Sequence, residues 1–155
     1  MVETFYTTVE SDQEIPGSSL NAANAAGTNY VQTPIPATLT VTLEAGTYLL
    51  TWHSELMRTN LSSNPFFARL REVDGPTYGF LRQRSSVENG ASGDIPDDTN
   101  LNAAGDVIAI SGSAVLSLPD GTRTYRLEYA MVNAANTPSF LLRVQHQRIS
   151  VLRLE

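Results

Sequence analysis

The chain contains no cysteine. That single absence removes disulfide scaffolds, thiolate metal sites and cysteine nucleophiles together. At 155 residues it can still bury roughly 70% of its unfolded surface, so it needs no covalent staple to fold. Lysine is missing as well, and all ten basic residues are arginine, whose planar fork and weak hydration suit protein interfaces. Sixteen acidic residues leave a formal net charge of −6 and a pI near 4.8, which disfavours tracking a nucleic-acid backbone. No apolar run approaches the ~20 residues of a membrane-crossing helix. Met1, Val2, Glu3 and Thr4 lack the basic and apolar regions of a secretory signal, so the expectation is a non-secreted, soluble product with no membrane partner. Histidine is limited to His53 and His146. There is no glycine-flanked serine elbow and no phosphate-cradling glycine loop. His53 with Glu55 two residues on is either an acid–base pair or an ordinary surface pair. The expectation is therefore no enzyme, no cofactor and no metal.

What is present is alternation. From Ala37 to Leu56, Leu39, Val41 and Leu43 point one way against three threonines. After Glu44, Ala45 and Gly46, the residues Tyr48, Leu50, Trp52 and Leu56 share a face opposed by Thr47, Thr51, His53 and Glu55. A period of two belongs to half-buried strands. Gly46 supplies a reversal, either as part of a two-residue hairpin loop or as a corner between stacked sheets. In both cases Trp52 is a core side chain.

The remaining chain repeats the theme. Residues 4–9 read as a first strand, and 30–33 as a brief edge strand closed by Pro34 and Pro36. Residues 10–36 are small and polar, suited to a long loop or an extended arm. Residues 66–73 and 77–84 form a hairpin through Asp74, Gly75 and Pro76. A loop at Gly75 and Pro76 places Phe67, Arg69, Arg71 and Val73 beside Tyr78, Phe80, Arg82 and Arg84, opposite a face of Ala68, Leu70 and Glu72. The arginine–aromatic face is either solvated and satisfied by acidic loops or a partner contact carried by Arg69, Arg71, Phe80, Arg82 and Arg84. Residues 85–105 form an irregular acidic loop without calcium-loop spacing. Residues 106–118 form a long strand in which Gly112 suggests a bulge. Pro119, Asp120 and Gly121 signal a turn, and 122–132 places Tyr125, Leu127, Tyr129 and Met131 inward. In 140–154 the apolar phase switches, which predicts a bulge or bend near residues 145–148. The sum is one all-β domain over 1–155, a jelly-roll β-sandwich of about eight antiparallel strands.

The run Leu39 to Leu43 followed by Ala45, Gly46, Thr47 and Tyr48 resembles strand–turn–strand segments of C1q/TNF-like jelly rolls. It also resembles small jelly-roll virion proteins of tailed bacteriophages, and Arg148 to Leu154 is similar to their closing strand. The resemblance covers about residues 37–155. It implies a homotrimer and, in phages, a head decoration (cement) protein partnered with the major capsid protein, located on the virion surface and made in the host cytoplasm. The alternative is a fibre or receptor-binding head recognising a glycan through Trp52, the tyrosines or the 85–105 loop.

Overall fold

A computed structural model describes residues 3–16, 19, 30–58, 66–73, 75–83, 107–131 and 141–154. The 85–105 loop, Arg84 and most of 17–29 lie outside the described residues, as do the side chains of Phe80 and Arg82. The strands are β1 (Thr4–Val9), β2 (Gln13–Pro16), β3 (Thr38–Leu43), β4 (Gly46–Arg58), β5 (Phe66–Glu72), β6 (Thr77–Gln83), β7 (Val107–Leu118), β8 (Gly121–Met131) and β9 (Leu141–Arg153).

One sheet, sheet A, runs β1-β9-β4-β7 with β2 also on the β9 edge, and sheet B runs β3-β8-β5-β6. All pairings are antiparallel. Taking β1 and β2 as one broken first strand, successive strands alternate between the sheets except at the β5–β6 hairpin, which stays within sheet B, as in a jelly roll. Two described parts of 10–36 pair with this chain's own strands. Gln13–Pro16 lies along β9, and Val31 bridges Tyr129 of β8.

The reversal at Gly46 is a corner. β3 pairs with β8 and β4 pairs with β7 and β9, so the two alternating runs between Ala37 and Leu56 face each other across the sandwich. Leu39, Val41 and Leu43 from sheet B pack in one cluster with Tyr48, Leu50, Trp52 and Leu56 from sheet A. Burial of such side chains contributes ~1.5–3 kcal/mol each. The second corner, between β7 and β8, turns at Gly121, whose φ of 141° favours glycine, as its turn signal requires.

Three local expectations change or sharpen. Gly112 is not a bulge, because the β4–β7 register runs unbroken from Met57↔Val107 to Gly46↔Leu118. Glycine is needed there because Trp52 lies directly opposite, and a Cβ would sit 2.1 Å from its Cζ2. The hairpin turn is longer than two residues. The amide of Gly75 bonds Glu72 O and that of Glu72 bonds Pro76 O, which puts Thr77 opposite Arg71 and, after a register shift, Tyr78 opposite Leu70 and Phe80 opposite Arg69. The phase switch in β9 is a bulge at His146. Register moves from His53↔Arg148 to Glu55↔Gln145, and His146 takes φ 48°. That inserted residue keeps Leu142 and Val144 inward before it and Ile149 and Val151 inward after it.

Candidate functional site

The arginine face of sheet B is built by β5 and β8, whose register sets Arg69 opposite Glu128 and Arg71 opposite Arg126. Glu128 is only 1% exposed. Its carboxylate accepts from Arg69 Nε and Nη2 at 2.7 Å each, on Oε2. Arg126 Nε donates to Oε1 at 2.5 Å. The Tyr30 ring covers the Arg69 guanidinium at 3.7 Å, and burial pushes the Tyr30 phenol above its ordinary range. Burying a carboxylate is tolerable only with such saturation. Arg69 is thus held by this chain's own Glu128 and Tyr30, while Arg71 stands half-buried in the next position along β5.

The second pair on these strands lies at the end of the core. Glu72 is buried and accepts from Arg123 Nη1 at 2.6 Å. Gly75 abuts it so closely that a Cβ would meet Glu72 Cγ at 2.9 Å.

Sheet A presents a different outer face. Its register aligns Thr4, Leu152, Leu49 and Val115 in one row across four strands. Tyr6, Ser150, Thr51 and Ser113 form the next row. Neither row contains a charge. Tyr6 and Val115 are each 64% exposed, and Leu154 is 47% exposed beside them. Hydroxyls stitch the second row, with Thr51 Oγ1 2.6 Å from Ser150 Oγ.

Beyond the neutral rows the face becomes titratable. Ser111 Oγ lies 2.8 Å from His53 Nδ1, and His53 Nε2 and His146 Nε2 each lie 3.9 Å from the Glu55 carboxylate. His146 Nδ1 bonds Glu10 Oε2 at 2.8 Å. The chain of groups therefore crosses β7, β4 and β9 to the end of β1. The hydrogen bond His146 donates to Glu10, with help from Glu55 and Asp12, raises His146 above its ordinary 6.5. Its contribution to folding is therefore full below pH 6.5 and fades as pH rises through the higher folded value. In His146→Asn that slope of melting temperature against pH should flatten in the same window. An unchanged slope by calorimetry would show that His146 is not its source. Among the described residues no group of three or more histidine, cysteine, aspartate or glutamate side chains is placed to hold a metal ion.

Between the sheets, beneath the bulge, lies a polar layer absent from the sequence reading. Ser54 Oγ is 2.9 Å from Tyr129 Oη, which donates to Gln147 Oε1 at 3.1 Å. Thr33 Oγ1 lies 3.3 Å from the same oxygen. Complete burial pushes the Tyr129 phenol strongly up, so it remains a neutral donor. Ile35 N donates to Gln13 Oε1 at 3.0 Å. These bonds tie residues 31–35 across the open end of the sandwich.

No known protein family matches the chain, and its sequence matches no curated protein. Two solved structures that it resembles are C1q/TNF-like domains. Eiger TNF from S. frugiperda aligns over 98% of this chain and 93% of that one, at 11% identity and a TM-score of 0.48. The globular domain of zebrafish complement 1qA aligns over 98% and 97%, at 12% identity and a TM-score of 0.42. The likeness is one of chain course, and the surfaces are read from this chain's own geometry.

Of the five residues singled out by sequence, Arg69 and Arg71 lie on adjacent outward positions of β5, with the β6 backbone bringing Phe80 opposite Arg69 and Arg82 opposite Phe67. Sequence reasoning missed Glu128, Arg126 and Tyr30 as their neighbours. The charges were visible, but only the strand order joins β5 to β8. Trp52 and the rings of Tyr48, Tyr125 and Tyr129 are enclosed, so they offer no stacking platform for a glycan.

Proposed function

We propose that this chain is a structural body that acts by association: a homotrimeric decoration (cement) protein on the head of a tailed phage. It would dock on the major capsid protein at the virion surface after synthesis in the host cytoplasm, and would catalyse no reaction. The observation that carries the reading is the pair of uncharged rows on the outer face of sheet A, with Tyr6, Val115 and Leu154 exposed there. Aromatic and aliphatic surface depleted of charge characterises the centre of protein interfaces, and copies of the chain are the partners this reading gives it. Three-fold symmetry and the capsid partner follow from the resemblance of Leu39 to Tyr48 and Arg148 to Leu154 to phage virion jelly rolls. The arginine face of sheet B supplies the outward contact, since arginine anchors interfaces.

Binding of this kind stabilises what it binds. A ligand for the assembled lattice alone raises its stability by RT ln(1 + [L]/Kd), and a specific interface buries roughly 1,200–2,000 Å². Purified protein added to undecorated phage heads should bind saturably at fixed stoichiometry and raise the temperature at which heads disassemble. Retention on a glycan array with no affinity for heads would contradict the capsid role and favour a receptor-binding head.

A further inference from the structure

We propose that Arg71 and Arg126 form a carboxylate clamp on the outer face of sheet B, a docking point for an acidic side chain of a protein partner. Every other arginine whose side chain is described has an internal companion. Arg69 and Arg126 hold Glu128, Arg123 holds Glu72, Arg143 holds Glu14, Arg153 holds Glu44, and Arg148 faces the Tyr6 ring. Among the described residues Arg71 alone has neither acid nor ring. It also stands directly opposite Arg126 in the β5–β8 register.

Like charges facing each other across strands destabilise a sheet, so folding does not account for this pair. Among the described residues, the surroundings offer it no internal relief. Glu128 is saturated by two arginines, and Glu72 belongs to the opposite, buried face with Arg123. Thr38 continues the row on β3, and the next row along holds Thr40 and Thr124, whose hydroxyls bond each other. The result is a local cationic surplus on a chain of net charge −6.

The protein itself shows which anion fits. One position along, a single carboxylate bridges Arg69 and Arg126, one guanidinium on each oxygen. A partner's aspartate or glutamate between Arg71 and Arg126 would repeat that arrangement, using the Arg126 edge that Nε leaves over. Guanidinium forks match the planar carboxylate two bonds at a time.

The test is an arginine Nε–Hε NMR titration of the full chain with a tri-glutamate peptide, and separately with inorganic phosphate. The peptide should shift the Arg71 and Arg126 signals saturably, more strongly than phosphate at equal charge. Arg71→Gln should weaken the Arg126 response at least tenfold while leaving the melting temperature unchanged or higher, since a repulsive pair is removed. Absent shifts, an equal response to phosphate, or a lowered melting temperature in Arg71→Gln would overturn the clamp. The inference rests on the reading of this chain as a protein-contact body, and the two fail separately. Peptide shifts without head binding would sink the capsid role alone. Head binding that Arg71→Gln leaves at full affinity would sink the clamp alone.

Discussion

Gly112→Ala is expected to lower the melting temperature by roughly 10 °C. The added Cβ would lie 2.1 Å from Trp52 Cζ2 and 2.4 Å from Cε2, distances at which no contact survives. Trp52 cannot swing away, because its ring is 6% exposed and enclosed with Leu50, Leu56 and Ile110 in one core. Overpacking a filled core costs ~1–3 kcal/mol and occasionally more, and in a domain of this size each kcal/mol moves the midpoint by ~2–4 °C. A smaller ring should relieve the clash, so Trp52→Leu with Gly112→Ala should be more stable than the sum of the two single changes. Strict additivity in denaturant titrations would mean the two residues do not meet.

Glu128→Ala should cost ~3–5 kcal/mol, the penalty for breaking a buried ion pair and leaving charge uncompensated. The change frees Arg69 and Arg126 beside Arg71, so three guanidiniums would share one patch without an acid among the described residues. Arg69→Ala should lose less, because Arg126 still holds Glu128, although the Tyr30 stack goes with it. Replacing the pair together, as Arg69→Met with Glu128→Leu, should recover most of the loss, since apolar side chains of similar volume substitute well for buried ions. If Glu128→Ala stays within about 1 kcal/mol of the parent by chemical denaturation, the cluster is a surface ornament of the ordinary weak kind.

These two sites mark what could and could not be read from the chain. Alternation alone identified every strand but β2, whose Gln13–Pro16 lay in a segment read as loop or arm, together with the corner options at Gly46 and the burial of Trp52, because a period of two is a local property. The phase switch around His146 was likewise visible, since Val144 and Ile149 both needed to face inward. Gly112 was legible as an exception and misread as a bulge, because its cause lies on β4, sixty residues away in sequence. Glu128 carried the outward parity of its strand, yet it is buried by side chains from β5 and by Tyr30. Parity reports which face a residue takes and says nothing of what covers that face. The hairpin register failed for a related reason: Gly75 packs on Glu72 and lengthens the turn, a contact the turn residues alone do not specify. The polar layer of Ser54, Tyr129 and Gln147 needed the bulge placed to the residue, because one position of slip sends Gln147 to the opposite face.

Sedimentation equilibrium on the purified chain puts the association reading to its most direct trial. The parent should run at three times its 16.8 kDa chain mass, and Val115→Glu, which places a charge on the neutral face of sheet A, should fall to the mass of one chain with its circular dichroism unchanged. A single-chain mass for the parent at its highest soluble concentration would contradict the account.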